Sequence, residues 1–342
     1  MQTLRIRWLE SIGSIIYLTV FLAVPLNAWS DNVDVEAAKK EGKVIVYGTV
    51  PTQDMDSINN AFEKKYAIKV EYWRSASGKI IDRTLTEWRG GRPGFDVVEG
   101  PHGMQVILRK EGFYGKFVPV TASKFPRELM DKDGLLTVWR TLPISILYNK
   151  DLIKPTEAPK DFADLLNPKW KKKIGLADPS RNTTSAEVLV NMNKYFDKKA
   201  EDWVRSLAKQ EPYLVESLLP VGNVIASGEV LVGISFIKYL RQVKGPLDYV
   251  RLEKYLANSN DFGLSKRAPQ PHAGKLYIEF ACSTEAQRSI AKTGEFPLSP
   301  EASPPIDGAD KIQERTVLMD VLSVEEFKEI QKKYREMFFA GK

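Results

Sequence analysis

Cysteine and histidine are almost absent from this sequence of 342 residues, which holds one cysteine and two histidines. A single cysteine has no partner within the chain, so an intramolecular disulfide is excluded and stability must come from burial of a core. The same scarcity excludes a common zinc site built from His and Cys alone. Cys282 follows apolar residues at helical spacing, and we expect its thiol to be buried as a small hydrophobic group.

Signatures of the common enzyme classes are missing as well. The segment 77–80, Ser-Gly-Lys-Ile, lacks the spacing and the final Ser or Thr of a phosphate-binding P-loop. No Gly-x-Gly-x-x-Gly, His-Glu-x-x-His or Gly-x-Ser-x-Gly motif occurs, and the carboxylates are scattered. We therefore predict from the sequence that this protein is not an enzyme. An exported hydrolase or transferase that uses an unrecognised site is the alternative from another class.

Long apolar runs are restricted to the first thirty residues. Arginines precede an apolar run at 12–24, and a proline and small residues follow it. The run of roughly 13 residues is too short to cross a bilayer, which needs about 20, and the pattern is typical of a secretory signal peptide. We predict a signal peptide at 1–30, cleaved near Ser30 or alternatively after Ala28, and an exported mature chain.

The excess of positive charge is small. The chain has 50 Lys and Arg residues against 44 Asp and Glu residues, for a formal net charge of +6. The basic residues are dispersed among acids except at 169–173, whereas nucleic-acid binders concentrate them on one face. A nucleic-acid partner is therefore not expected, and the modest positive balance favours a small anionic ligand.

Strand and helix patterns alternate through the rest of the chain. Short apolar or alternating runs predict strands at 44–47, 68–72, 95–98, 174–177, 230–236 and 262–264. Apolar residues at helical spacing predict amphipathic helices between them, including a terminal helix that Ser323 and Glu326 would cap. Strands that alternate with helices indicate an α/β fold with parallel-rich sheets flanked by helices.

Three segments carry a resemblance to a known family. They are 146–152 (ILYNKDL), 162–179 (with FADLLNPKWK, IG and DP) and 273–300 (from AGKL to FPLSP). Together they resemble the extracellular solute-binding proteins of ABC importers, in the group that contains periplasmic ferric-iron-binding proteins. The similarity follows the chain in order through nearly all of the mature sequence.

The resemblance implies a two-lobed periplasmic-binding-protein fold of type II, with a hinged cleft and no catalysis. The implied boundaries are 31–140 plus 262–305 for lobe 1, 149–250 for lobe 2, 141–148 and 251–261 for the hinge crossings, and 320–342 for a C-terminal helix packed on lobe 2. We expect a monomer in the periplasm that delivers a small solute to a permease and ATPase complex of the inner membrane. Presentation of the closed form to a sensor protein is a further role that the sequence leaves open.

Two loops carry residues expected at the ligand site. These candidates are Ser75, Ser77 and Gly78 in lobe 1 and Ser180, Asn182 and Thr183 in lobe 2. Each loop joins a strand to a helix, which places unsatisfied helix N–H groups at the sheet edge, where they attract anions. A closing cleft could grip one anion from both sides, although the hydroxyls could instead cap their own helices. The resemblance implies that the second loop contacts an anion.

Further candidates follow strand ends that face the same cleft. Thr49 follows the first strand, and His102 lies in a Gly-Pro-His-Gly turn. Lys238 and Tyr239 occupy the position where the family's iron binders carry two adjacent tyrosines. Replacing a phenolate by the Lys238 ammonium favours an anionic ligand, and we predict no resident metal or other cofactor. Ferric iron, free or chelated, is the alternative ligand, held by Glu99, His102 and Tyr239.

Overall fold

The computed structural model describes residues 33–339, so the predicted signal peptide and its cleavage site lie outside the described residues. The helices are α1 (Val35–Glu41), α2 (Thr52–Tyr66), α3 (Ser77–Arg89), α4 (His102–Lys110), α5 (Thr183–Val190), α6 (Asn193–Phe196), α7 (Ala200–Lys209), α8 (Leu218–Ala226), α9 (Tyr239–Gln242), α10 (Pro271–Ala281), α11 (Thr284–Ala291), α12 (Ala309–Glu314) and α13 (Val324–Phe339). The strands are β1 (Lys43–Gly48), β2 (Lys69–Arg74), β3 (Val97–Pro101), β4 (Leu136–Asn149), β5 (Ile174–Ala177), β6 (Tyr213–Val215), β7 (Val232–Phe236), β8 (Leu247–Tyr249), β9 (Tyr255–Leu264), β10 (Phe296–Pro297) and β11 (Thr316–Leu318). Short 3-10 helices span Val120–Lys124, Arg127–Leu129, Ala163–Leu166, Pro168–Trp170 and Asp197–Lys199. Within residues 33–339, no helix combines the length and the apolar composition that crossing a membrane requires.

The strands form one continuous sheet in the order β2-β1-β3-β9-β4-β7-β5-β6. β10 and β8 also pair with β4, and β11 pairs with β9. Pairing is parallel among β2, β1 and β3 and among β6, β5 and β7. It is antiparallel where β9 meets β3, where β9 meets β4 and where β4 meets β7. The sheet is therefore parallel-rich in its outer parts and mixed at its centre.

β4 and β9 connect the two halves of the molecule. β4 pairs with β9 over 136–143 and with β7 over 144–148, so a single strand serves both halves. All 14 residues of β4 are buried. We call the half that contains β1 to β3 lobe 1 and the half that contains β5 to β7 lobe 2. Because the two lobes share continuous strands, their junction is the natural place for a hinge.

Each lobe packs its helices on its own apolar core. In lobe 1, Trp139 and Phe262 pack with ring centroids 4.9 Å apart, and α2 and α10 cover the same core. Cys282 is 1% exposed in this core, which confirms the predicted burial of its thiol. In lobe 2, Trp203 and Leu207 of α7 pack with the strands β5 and β7.

The C-terminal helix α13 begins at a capping box. The N–H of Ser323 donates to Oε2 of Glu326 at 2.8 Å, and the N–H of Glu326 donates to Oγ of Ser323 at 3.2 Å. This reciprocal pair confirms the predicted cap. Tyr334 and Phe338 join the core of lobe 2, and α13 packs on α5 and α7. The N–H of Leu322, just before α13, donates to Oε1 of Glu187 at 3.4 Å, so the start of α13 lies beside α5.

Candidate functional site

A cavity of about 320 Å³ lies between the lobes, beside the crossing strand β9. The N-terminal ends of α3 and α4 line it from lobe 1, and that of α5 lines it from lobe 2. Its polar side chains are Ser77, His102, Thr183, Thr184, Glu187, Asn258 and Ser323. Its larger apolar side chains are Ile81, Met104, Ile107, Val321, Leu322 and Phe327. Small-molecule sites begin at about 300 Å³, so the cavity suits a small solute.

The helix ends at this cavity present free backbone donors. α3 and α4 begin after Ala76 and Pro101, and among the described residues no side chain caps either helix. α5 is capped by Asn182, whose Oδ1 accepts from the N–H of Ser185 at 2.9 Å. Unsatisfied first-turn N–H groups and the positive ends of the helix dipoles attract negative charge. The cavity is therefore suited to an oxyanion.

His102, the first residue of α4, forms an ion pair with a buried carboxylate when it is protonated. Its Nδ1 lies 2.5 Å from Oδ2 of Asp261, a fully buried residue of β9. The hydrogen bond to this carboxylate raises the pKa of His102 above its ordinary value, against the opposing effect of burial. The imidazole therefore keeps its proton more readily than a free histidine does, and its positive charge is compensated by the carboxylate of Asp261.

Glu187 is the acidic side chain in the cavity lining. It is 5% exposed, and its Oε1 accepts a hydrogen bond from the N–H of Leu322 at 3.4 Å. Burial raises the pKa of this carboxyl to about 7. Hydrogen bonds from Leu322 and Asn258 and the charge of His102 oppose that rise only in part. Glu187 is consequently part protonated and part ionised near neutral pH.

Glu187 should make the stability of the unliganded protein depend on pH. Its folded-state pKa of about 7 exceeds the ordinary value of 4.5, so the folded chain binds more protons than the unfolded chain between these values. The group's contribution to the free energy of unfolding should therefore fall by about 3 kcal/mol as pH rises through this window. Urea denaturation of the wild type and of Glu187→Gln at several pH values measures it. A stability difference between the two that stays constant with pH would contradict the prediction.

A polar cluster occupies the junction of the lobes. Arg140 of β4 is 3% exposed, forms an ion pair with Glu295 and lies 3.7 Å from Glu99. Lys238 of lobe 2 pairs with the same Glu295 at 2.7 Å. Two acids and two bases thus neutralise one another in a buried setting. The cluster ties the lobes together, and the carboxylate of Asp54 interacts with its charges as well.

Four of the ten predicted ligand residues line the cavity together, namely Ser77, Gly78, His102 and Thr183. They come from three separate segments and from both lobes, as a two-sided grip on a ligand requires. The alternative that these hydroxyls cap their own helices does not apply to Ser77 or Thr183, because the N-cap residues are Ala76 and Asn182.

Three other predicted ligand residues organise the loops without lining the cavity. The N–H and the hydroxyl of Ser180 both donate to Oδ1 of Asp178, at 2.9 and 2.7 Å. Asn182 serves as the N-cap of α5. The N–H of Ser75 donates to the carbonyl oxygen of Gly48 at 3.0 Å, which continues the pairing of β1 and β2 by one residue.

The remaining three, Thr49, Lys238 and Tyr239, belong to the polar cluster. The N–H and the hydroxyl of Thr49 donate to Oε2 of Glu99 at 2.9 and 3.2 Å. Lys238 is held by Glu295. Burial, followed by the charge of Glu295, raises the pKa of Tyr239. The structure therefore places these residues away from the cavity lining.

The alternative iron ligands Glu99, His102 and Tyr239 do not share one pocket lining. Glu99 is engaged by Thr49 and also accepts from Nδ2 of Asn260 at 2.8 Å, whereas His102 is bound to Asp261. A raised pKa disfavours the phenolate form of Tyr239 that hard ferric iron prefers. Within residues 33–339, no group of three His, Cys, Asp or Glu side chains is positioned to hold a metal ion.

Sequence reasoning missed Glu187, Asn258 and the segment 321–327. Glu187 is flanked in sequence by Ala186 and Val188, and this pattern predicts only the solvent-facing polar side of an apolar helix. A carboxylate enclosed by apolar neighbours on a short helix is the signal that could have singled it out. Asn258 lies in the segment 251–261, which was expected to form a hinge crossing and not a ligand site. The segment 321–327 was recognised from its sequence only as the capped start of a helix, because only the packing of α13 brings it to the cavity.

Comparison with known sequences gives one family and several relatives. Residues 93–315 match the family described as bacterial extracellular solute-binding protein. A periplasmic protein of Salmonella typhimurium, provisionally named for binding 2-aminoethylphosphonate, is 24% identical over 292 residues, which cover 80% of this chain and 81% of the relative. Iron uptake protein A2 of Synechocystis is 26% identical over 310 residues, which cover 81% of this chain and 83% of the relative.

Solved structures resemble the fold over most of the chain. Iron-bound HitA from Pseudomonas aeruginosa has a TM-score of 0.68 at 18% identity and covers 85% of this chain and 99% of its own. AfuA from Actinobacillus pleuropneumoniae, a periplasmic binding protein with exogenous fructose-6-phosphate bound, has a TM-score of 0.70 at 21% identity and covers 87% and 99%. These likenesses confirm the predicted two-lobed α/β fold. Since the family match spans more than half of the sequence, this chain belongs to the bacterial extracellular solute-binding protein family.

Proposed function

We propose that this protein is the solute-capturing component of an ABC importer and that its solute carries an oxyanion. The observation that carries the proposal is the convergence of three helix N-termini on one cavity between the lobes. First-turn N–H groups and aligned peptide dipoles bind phosphate, phosphonate or carboxylate groups without needing a charged side chain. Closure of the lobes would bring donors of α3 and α4 onto the same oxyanion as donors of α5.

The names of similar proteins support an oxyanion. The Salmonella relative is provisionally named for 2-aminoethylphosphonate, and the Actinobacillus structure contains fructose-6-phosphate. Both molecules end in a phosphorus oxyanion and differ in everything else. A site built from helix ends accommodates such a group whatever carries it, because backbone donors recognise the oxygens alone.

On this proposal the mature protein works in the periplasm as a monomer and catalyses no reaction. It hands its solute to a permease and an ATPase of the inner membrane. An enzyme would convert the bound solute, whereas a binding protein is stabilised by its solute without forming a product. Mass spectrometry of the solute kept through purification, followed by thermal denaturation with that solute added, distinguishes the two.

Ferric iron is the second candidate, because one similar protein is named for iron uptake and another has iron bound. Its support in this chain is weaker. One tyrosine stands where the family's iron binders carry two, and its neighbour Lys238 pairs with Glu295. A cavity lined by helix N-termini also carries positive potential, which opposes a trivalent cation.

Thr183→Ala provides the test of the proposed function. A hydrogen bond from this hydroxyl to a charged oxygen contributes about 1.5–3 kcal/mol, so the variant should bind the retained solute roughly ten- to 150-fold more weakly. Because Asn182 caps α5, the thermal stability should hardly change. Thr183→Ser keeps the hydroxyl and is the matched control. Calorimetric titration measures all three proteins.

Tyr239→Phe should hardly affect the binding of an oxyanion solute but should nearly abolish the binding of ferric iron. For an oxyanion at the helix ends, the change removes at most one neutral hydrogen bond, about 0.5–1.5 kcal/mol. For ferric iron, it removes the one phenol aligned with the family's iron ligands and should nearly abolish binding and the phenolate-to-iron colour. If Tyr239→Phe destroys binding and Thr183→Ala has no effect, the iron function replaces the proposal.

A further inference from the structure

The cavity holds a buried carboxylate, that of Glu187, which forms no ion pair within residues 33–339. Glu187 is 5% exposed, and it receives hydrogen bonds from the N–H of Leu322, at a long distance of 3.4 Å, and from the side chain of Asn258. The positive charge that acts on it is that of His102, which is already paired with Asp261 at 2.5 Å. Burying a charged group costs free energy unless it is paired and hydrogen-bonded. Glu187 is therefore an acceptor that a suitable ligand would satisfy.

Asn258 supplies a second acceptor at the same wall of the cavity. Its Nδ2 donates to Oγ1 of Thr184 at 3.3 Å. Its Oδ1 is buried and has no hydrogen-bond partner among the described residues. Buried polar atoms are rarely left unsatisfied in folded proteins, and such an atom at a cavity points to a bound partner. A hydrogen-bond donor of the solute could pair with both Oδ1 of Asn258 and the carboxylate of Glu187.

Donors and acceptors in the cavity are separated by the length of a small molecule. Thr183 stands at the first turn of α5, and Glu187 follows four residues later on the same helix. Residues at this spacing share a helix face with Cβ atoms about 5–6 Å apart. A solute whose oxyanion meets the N-terminal ends of α3, α4 and α5 can therefore place a group two or three atoms away against Glu187.

We infer that the solute is a zwitterion, whose cationic nitrogen donates to Glu187 and Asn258 while its oxyanion occupies the helix N-termini. This inference rests on the proposed oxyanion site and adds the second half of the ligand. An ammonium group carries three donors and no acceptor, which matches a carboxylate and an amide oxygen. Glu187 thereby becomes the residue that distinguishes an aminated anion from a simple one.

Proton release gives the inference an independent signature. The pKa of Glu187 is about 7 without a ligand, so part of the population is protonated near neutral pH. A cation at hydrogen-bond distance stabilises the ionised carboxylate and lowers that pKa. Binding of a zwitterion should therefore release protons. An anion without a cationic nitrogen does not lower the pKa of Glu187 in this way. Its binding therefore measures the protons that His102 exchanges, and this number is the reference for the zwitterion.

The experiment is calorimetric titration with matched pairs of probes near neutral pH. The pairs are 2-aminoethylphosphonate with ethylphosphonate, O-phosphoethanolamine with ethyl phosphate, and β-alanine with propanoate. In at least one pair, the aminated member should bind at least tenfold more tightly to the wild type. Repeating the titration in buffers of different ionisation enthalpy should reveal more proton release for the aminated member than for its partner.

Glu187→Gln should remove both the preference and the extra proton release, because glutamine keeps the shape without the charge. The same variant should bind the non-aminated anion more tightly, since a nearby negative charge is gone. Glu187→Asp, which keeps the charge on a shorter side chain, should retain part of the preference. The comparison of probes on the wild type stands without any variant, so a folding defect in Glu187→Gln does not spoil the test.

The possible failures are distinguishable. Equal affinity for aminated and non-aminated probes overturns the zwitterion and leaves the oxyanion site standing. A preference that persists in Glu187→Gln also overturns it, because the cationic nitrogen then lies elsewhere. If no probe of any pair binds, the zwitterion and the proposed oxyanion function fail together.

Discussion

Ser77→Asp is expected to abolish binding of an anionic solute while making the protein slightly more stable. Ser77 is the first residue of α3, and no side chain caps this helix in the described part of the chain. A carboxylate in the first turn interacts favourably with the helix dipole, by about 0.3–1 kcal/mol. The same carboxylate would project at the cavity wall, where like charges cost several kcal/mol. We expect affinity to fall by more than about 100-fold.

The opposite signs of the two effects make this prediction specific. Ser77→Asn is the matched control, because asparagine has the shape of aspartate without the charge, and it should lose far less affinity. Calorimetric titration with the retained solute and thermal denaturation measure the two quantities. Unchanged affinity in Ser77→Asp would place the anion elsewhere. Loss of affinity together with loss of stability would instead indicate a folding defect.

Arg140→Ala is expected to lower the free energy of unfolding by about 3–5 kcal/mol, because it removes one partner of a buried ion pair. Arg140 is 3% exposed and pairs with Glu295, and Glu99 lies 3.7 Å away. The alanine variant leaves Glu295 with Lys238 alone and leaves Glu99 without its cation. Charged groups buried without a partner account for most of the expected loss.

Arg205→Ala is the control for this loss. Arg205 is 54% exposed and pairs with Glu201 within one helix, so its removal should cost about 1 kcal/mol or less. Urea denaturation of both variants measures the difference. A cost for Arg140→Ala as small as that for Arg205→Ala would mean that the junction cluster is solvated and contributes little to holding the lobes together.

Elements whose pattern comes from core burial could be predicted from the sequence. The apolar run at 174–177 became β5 with the same bounds, and the helical spacing of Ala273, Leu276 and Phe280 became α10. The parallel pairing of the outer strands could be predicted, because strands that alternate with helices favour it. The antiparallel pairing at the centre could not, because alternation of side chains is the same in both kinds of strand. The antiparallel centre of the sheet around β4 and β9 was therefore missed.

The positions of candidate residues could be predicted where the signal is local. Ser77 and Thr183 stand at helix starts, and a strand followed by a short loop is enough to identify them. Lys238 shows the limit, because its partner Glu295 lies 57 residues away in sequence. The resemblance to iron binders gave its position in the family but not its partner. Glu187 can be identified as a cavity residue only from the structure, because β9 and the segment before α13 enclose it there.

The position of β9 in the sheet restricts the order in which the strands can pair as the chain is synthesised. β9 lies between β3 and β4 in the sheet, yet its residues leave the ribosome after β1 to β8 have been made. Lobe 2 draws β5 to β8 from one uninterrupted stretch, so these strands can pair with one another and with β4 before β9 is made. Until Tyr255 arrives, β3 and the first half of β4 expose open strand edges that invite pairing with other chains. Completion of lobe 1 is thus a late, long-range insertion of one strand, the kind of step that slows folding. A chain interrupted before Tyr255 would carry a lobe 2 that lacks Tyr334 and Phe338 of its core, beside a lobe 1 whose open strand edges favour aggregation.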